Sequence, residues 1–144
     1  MVVLDASVIL KWSRPDEPHF ALAEQFRVAH ARELLTIAVP SLFFYEAASA
    51  VGKWGWPADA RRQMLTTLLR ARFRIFRESA KLLHTTMEVM DRYGLWMRDA
   101  CYVALGQIKG SAVVTADARV WRKVRRVGLV HYLPDVADLA PYHD

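Results

Sequence analysis

An α/β fold, with a central, mainly parallel sheet and helices on both of its faces, is what this sequence predicts. Three observations predict it. Short apolar runs alternate with longer amphipathic stretches along the chain, the pattern of strand–helix–strand units. Two of those runs, VVLD at the start and VVTAD ending at residue 117, each lead directly into an acid and then into a helix-compatible stretch. No linker, internal repeat or low-complexity tract interrupts the alternation over 144 residues, so one domain spanning 1–144 is expected.

Val2 to Leu4 reads as a short buried strand. A helix is expected over 17–31, after a short helical start following Asp5. Residues 35–39 form a second strand, which Pro40 ends. Ser41 is placed to cap a helix running to about Lys53. Trp54-Gly55-Trp56-Pro57 breaks that helix, and Pro57 suits the first turn of the next, over 58–71. Residues 74–77 make a third strand. Ser79 caps a helix to Arg92 that Gly94 ends, and a further helix over 97–109 stops at Gly110. SAVVTADARVWRKV is then a buried strand, an acid and an amphipathic helix closed by Gly128, with a last strand over 129–133.

The composition is globular: 53% hydrophobic and 24% charged. A single cysteine, Cys101, excludes an intramolecular disulfide. The start of the chain shows no cationic leader with a long apolar run, and the stretch poorest in charge, 34–52, contains Pro40 and Glu46. A soluble cytoplasmic protein without a membrane span is expected. The net charge is +5, and 15 of the 20 basic residues are arginine. Arginine grips phosphate through two parallel hydrogen bonds, so a polyanionic partner is one reading. A GC-rich coding sequence that favours arginine is the other.

Four acids stand out. Asp5 and Asp117 each follow a strand, which in an open parallel sheet is the edge where ligands bind. Taken alone, each is better read as a helix cap. Glu46 is the only charged residue over 34–52, and its helical neighbours are Leu42, Phe43, Ser49 and Ala50. A carboxylate there is costly unless a cation or several donors satisfy it, so it marks either a site or a buried ion pair with an arginine. Asp99 opens the helix RDACYVAL, where the helix dipole also favours an acid. If all four converge, mutual repulsion makes the empty site unfavourable and divalent cations relieve it. Oxygen-only ligation selects magnesium or manganese over zinc. The five histidines (19, 30, 84, 131 and 143) show no zinc-ligand spacing.

These stretches carry a resemblance. VLDASVILKW, PSLFFYEAASAV, RDACYVALG and VVTADARVW, in that order, resemble the PIN-domain ribonucleases, specifically the VapC-type toxins of toxin–antitoxin pairs. The resemblance covers nearly the whole chain. It implies a three-layer α/β/α fold, four metal-binding catalytic acids at Asp5, Glu46, Asp99 and Asp117, and supporting hydroxyls at Ser7 and Thr115. It implies Mg2+ or Mn2+ as cofactor and RNA as substrate, hydrolysed by metal-activated water. It also implies a cognate VapB-type antitoxin whose C-terminal segment occupies the cleft, and a homodimer. This chain departs from many relatives in having Arg98 where they have tyrosine, which bears on substrate grip, and Ser49 where they have asparagine, which bears on a supporting hydrogen bond.

Around these acids lie basic and aromatic features. Arg119, Arg122 and Arg126 fall on one face of the last expected helix, with Val120, Val124 and Val127 opposite. They form either a phosphate track into the site or an ordinary solvated face. Arg61, Arg62, Arg70, Arg72, Arg74 and Arg77 carry the same ambiguity, and Trp54 and Trp56 either stack on a ligand or anchor the core. Two competing functions remain. A haloacid-dehalogenase-type phosphatase needs a second acid two residues after the first, where this chain has Ser7. A PIN-fold module that binds RNA or a partner without cutting has no use for four costly carboxylates.

Overall fold

The computed structural model describes residues 1–144. Five short strands, β1 (Val2–Leu4), β2 (Ile37–Pro40), β3 (Arg74–Phe76), β4 (Val113–Thr115) and β5 (Val130–Tyr132), form one sheet in the order β3-β2-β1-β4-β5. Every pairing is parallel. Seven α-helices connect and cover it: α1 (Ala6–Ile9), α2 (Phe20–Ala31), α3 (Leu42–Lys53), α4 (Ala58–Leu69), α5 (Ala80–Tyr93), α6 (Met97–Lys109) and α7 (Ala118–Val124). A 3-10 turn, Leu10–Ser13, extends α1. The three-layer α/β/α architecture expected from the sequence is the one observed.

The strand order locates a crevice. The chain steps outward from β1 to β2 to β3, then returns past β1 to start β4 and steps outward again to β5. Right-handed crossovers therefore place α1 to α4 on one face and α5 to α7 on the other. The order reverses between β1 and β4, and helices diverge at that point, opening a gap beyond the carboxyl ends of those two strands. Asp5 ends β1, and Asp117 lies two residues beyond β4.

Burial explains the register. All residues of β1, β2 and β4 are buried, as continuous apolar strands covered on both faces must be. β3 is exposed at Arg74 and Ile75, as befits an edge. The core joins the strands to Phe26 of α2, Phe43 of α3 and Tyr102 of α6. Gly106 lets α6 pack tightly on β4, since an added Cβ there would come within 2.2 Å of the Val113 side chain. Gly94 and Gly110 end α5 and α6 in the left-handed region, as expected from the sequence.

Three local expectations are corrected. Ser41 does not cap α3: its backbone is already helical and its hydroxyl donates to Glu78 Oε2 at 3.0 Å. The helix expected over 17–31 begins at Phe20, because the chain first turns through a left-handed His19. α7 ends at Val124, not at Gly128, since the Val127 N–H closes a tight turn on the Val124 carbonyl and delivers Val130 to β4. Arg126 therefore lies in that turn and not on the helical face of Arg119 and Arg122. Strand bounds shift by one or two residues.

Candidate functional site

A cavity of about 410 Å3 opens where the strand order reverses, and Asp5, Glu46, Asp99 and Asp117 all line it. A larger cavity, about 970 Å3, lies elsewhere, between the Leu10–Ser13 turn, α2 and α4, and contains none of the four.

Asp5 is held from both sides of the crevice. Its Oδ2 accepts hydrogen bonds from the Ser7 hydroxyl and the Thr115 hydroxyl, each at 2.7 Å. Ser7 Oγ in turn accepts from the Ala116 N–H at 2.9 Å, and Thr115 Oγ1 from the Asp117 N–H at 3.1 Å. The two hydroxyls thus stitch the end of β1 to the end of β4 while fixing one carboxylate oxygen. Asp5 does not cap α1 with its side chain. Burial raises its pKa above the ordinary carboxylate value, against the lowering by those hydroxyls, and the charge of Asp117 adds to the rise.

Glu46 points from α3 into the same space. No arginine or lysine pairs with it within 4 Å. Its partner is the buried Tyr102 of α6, whose hydroxyl donates to Oε2 at 2.6 Å. Burial, opposed by that hydrogen bond and reinforced by Asp5 and Asp99, pushes the Glu46 carboxyl up to about 7. Asp99, with its side chain 12% exposed, is likewise raised, first by burial and then by Asp5, and the Arg98 guanidinium 3.5 Å away offsets part of this.

Asp117 behaves differently. Its Oδ1 accepts from the backbone N–H of Arg119 and Val120, capping α7, and its Oδ2 takes the Arg119 guanidinium at 3.0 Å. Burial pushes its pKa up, but these donors outweigh burial and hold it below the ordinary value.

No three acidic, histidine or cysteine side chains close on one point as a ready-made ligand shell. The site has four carboxylates around one cavity and excess negative charge, which fits a hard divalent cation that keeps several of its own waters. It does not fit zinc. Ser49 lines the cavity but makes no hydrogen bond to an acid. Arg98 and Arg119 sit against Asp99 and Asp117 as counter-charges, but of the four arginines singled out only Arg98 lines the cavity; Arg119, Arg122 and Arg126 do not. Trp54 and Trp56 pack edge to face on each other at 4.7 Å, with Arg14 over Trp54, and neither is fully buried.

Sequence reasoning did not single out Tyr102 or Lys53. Tyr102 was readable only as a core residue, yet it lies three residues after Asp99 and so shares that acid's helical face. Lys53 read only as the end of a helix, yet it lines the cavity.

No helix is long and apolar enough to cross a membrane. No curated protein matches the sequence significantly. Among solved structures, the chain is similar to FitAcB from Neisseria gonorrhoeae, with a TM-score of 0.71 at 15% identity, covering 94% of this chain and 100% of that one. It is similar to a toxin-antitoxin complex from Klebsiella pneumoniae, with a TM-score of 0.70 at 15% identity over 94% and 100% of the two chains. VapBC2 from Rickettsia felis, bound to a DNA fragment from its promoter, matches with a TM-score of 0.65 at 15% identity over 92% and 98%. At such identities the likeness is one of fold. The family model for the PIN domain matches residues 2–127, and with the sheet order and cavity described above, the chain belongs to the PIN-domain family.

Proposed function

We propose that this protein is a metal-dependent endoribonuclease, the toxin of a toxin–antitoxin pair, built on a single PIN domain over 1–144. The observation that carries the reading is the acid cavity. Four elements of the fold send Asp5, Glu46, Asp99 and Asp117 to one space, and three of these carboxyls are raised by burial and by each other. The three raised carboxyls cost the fold stability, so the value of the cluster lies in what it binds.

Asp5, Asp99, Asp117 and Glu46 would hold Mg2+ or Mn2+, directly or through water. When bound, the cation supplies a water of lowered pKa and positive charge against the scissile phosphate. The chain's own groups do the rest. Ser7 and Thr115 lock the Asp5 carboxylate in one orientation. Glu46, held in orientation by the Tyr102 hydroxyl, would serve as a ligand to the cation or orient the attacking water. Arg98, which lines the cavity, and Arg119, paired with Asp117 beside it, would supply counter-charge to the phosphates flanking the cut.

RNA as substrate and a VapB-type antitoxin as partner follow from the family resemblance, and a cytoplasmic location from the sequence expectation of a soluble protein without a leader or membrane span. The toxin-antitoxin complexes among the structural neighbours support the antitoxin. The reading includes a homodimer, for which the exposed Leu83 and Met87, one turn apart on α5, offer apolar surface. The test is cleavage of RNA by purified protein with magnesium or manganese, with and without chelator, beside Asp5→Asn. Metal-dependent cutting lost in a folded Asp5→Asn supports the reading. Cutting that survives chelator, or equal activity in the variant, overturns it.

A further inference from the structure

We propose that Tyr45 and Lys53 form a track along α3 that binds single-stranded nucleic acid, with Tyr45 stacking on a base and Lys53 taking a phosphate of the same strand. This deepens the nuclease reading above and rests on it.

Tyr45, Ser49 and Lys53 all line the acid cavity from α3. Steps of four residues put them in one row on the helix, each about 6 Å further along its axis. Tyr45 lines the cavity yet is 77% exposed, so its ring stands at the rim. Its neighbours Phe43 and Phe44 pack against each other, and Phe43 is wholly buried, but Tyr45 joins no aromatic pair and its hydroxyl has no hydrogen-bond partner. A large ring left 77% exposed at the cavity rim, one residue from Glu46, contributes little to packing.

Lys53 is singular in a second way. Two cations line the cavity, Arg98 and Lys53. Arg98 is engaged by Asp99, whereas Lys53 has no carboxylate within 4 Å. A free ammonium and a free aromatic face, two helical turns apart beside a metal-suited acid cluster, match the alternating chemistry of a nucleic-acid strand: flat bases and anionic links. Ser49 between them offers a hydroxyl to the sugar or phosphate. A base can reach Tyr45 only if it is unstacked from its neighbours, which selects single strands or loops over duplex. Stacking of this kind tolerates any base, so the track grips without reading sequence.

The experiment measures binding of the full chain to a labelled RNA strand in chelator, to the same strand with an abasic nucleotide walked along it, and to its duplex. Cleavage kinetics with magnesium are measured in parallel. Tyr45→Ala should weaken single-strand binding roughly 5- to 150-fold, the range of base–aromatic stacking, while Tyr45→Trp restores it. One abasic position should weaken the wild type by a similar factor and leave Tyr45→Ala unaffected. In cleavage, Tyr45→Ala should raise KM with kcat little changed. Lys53→Ala should make the salt dependence shallower by about 0.7 in logarithmic slope. Melting temperature monitors folding, and the Trp variant separates lost stacking from lost structure. If the wild type cuts RNA, Asp5→Asn does not, and Tyr45→Ala binds and cuts like wild type, the track is wrong and the nuclease reading stands. A preference for duplex also overturns the track, and if Tyr45 faces a protein partner its loss leaves RNA affinity unmoved. If the wild type neither cuts nor binds RNA, both readings fall.

Discussion

Asp5 and Asp117 look alike in the sequence and are opposites in the fold. Each follows an apolar run, each precedes a helix, and each lies at the carboxyl edge of the sheet on either side of the order reversal. Asp117 is satisfied: two backbone N–H groups and the Arg119 guanidinium hold its charge, and its pKa is low. Asp5 is buried, is held by neutral donors of Ser7 and Thr115 with no cation beside it, and has a raised pKa. One acid serves the fold as a cap while lining the cavity, and the other costs the fold stability. The difference teaches that position on a sheet edge does not fix what an acid costs the fold: the donors around it do, and they differ between two acids that line the same cavity.

The largest expected effect breaks the pair apart by substitution. Asp5→Asn keeps the shape and removes a charge that burial disfavours, so cleavage should fall to background while the melting temperature holds or rises. Asp117→Ala removes the α7 cap and should cost about 1 kcal/mol, a few degrees of melting temperature. Asp117→Asn retains a good capping side chain and should recover most of that stability without recovering metal binding. Melting curves and cleavage rates for the three variants check this. A marked loss of stability in Asp5→Asn would show that its hydroxyl contacts outweigh its burial and would erase the contrast.

A smaller effect is expected from pH in metal-free protein. Glu46 is raised from 4.5 to about 7 when folded. The folded state then binds more protons than the unfolded one, so stability falls as pH rises from about 4.5 to about 7 and stays reduced above that. After allowance for partial solvent access, the loss is of the order of 1–3 kcal/mol. The raised Asp5 and Asp99 act in the same direction. Denaturant unfolding at pH 5 and pH 7.5 measures it. Glu46→Gln should flatten the dependence, and magnesium should restore stability at pH 7.5 more than at pH 5. A chelated wild type that is steadier at the higher pH by this amount would contradict it.

The parts of the molecule that follow local rules were legible in the sequence. Alternating segments gave a parallel sheet, Gly94 and Gly110 marked helix ends, and the isolation of Glu46 on an apolar helix marked it as unusual. What escaped was set by partners far away in sequence. Ser41 had the chemistry of a cap, but Glu78 took its hydroxyl. The contrast between Asp5 and Asp117 depends on Thr115 reaching back 110 residues. Tyr102 read as core because nothing in its neighbourhood announces Glu46, 56 residues earlier. The end of α7 was misplaced because pairing of β5 with β4, not helix propensity, decides where the chain must turn.

The smallest expected effect concerns the arginines beside Asp117, where the comparison can be sharpened most finely. Arg119 and Arg122 are both exposed on α7, but only Arg119 is tied to a carboxylate, at 3.0 Å. If the helix tracks RNA phosphates, each free cation releases counterions on binding, and its loss makes the salt slope shallower by about 0.7. Arg122→Ala should show that change, and Arg126→Ala also if the turn after α7 reaches the strand. Arg119→Ala should show less, because its charge is already shared with Asp117. It should also let the Asp117 pKa rise, since Arg119 helps hold it down. None of the three should alter stability by more than about 0.5 kcal/mol. The measurement is RNA affinity against salt with chelator present, since phosphate contacts position a strand without specifying it and should weaken binding alike across sequences. Three unchanged slopes would make α7 an ordinary solvated face. A full change at Arg119 with none at Arg122 would mean that RNA displaces Asp117 from Arg119, freeing that carboxylate at the moment a metal needs it.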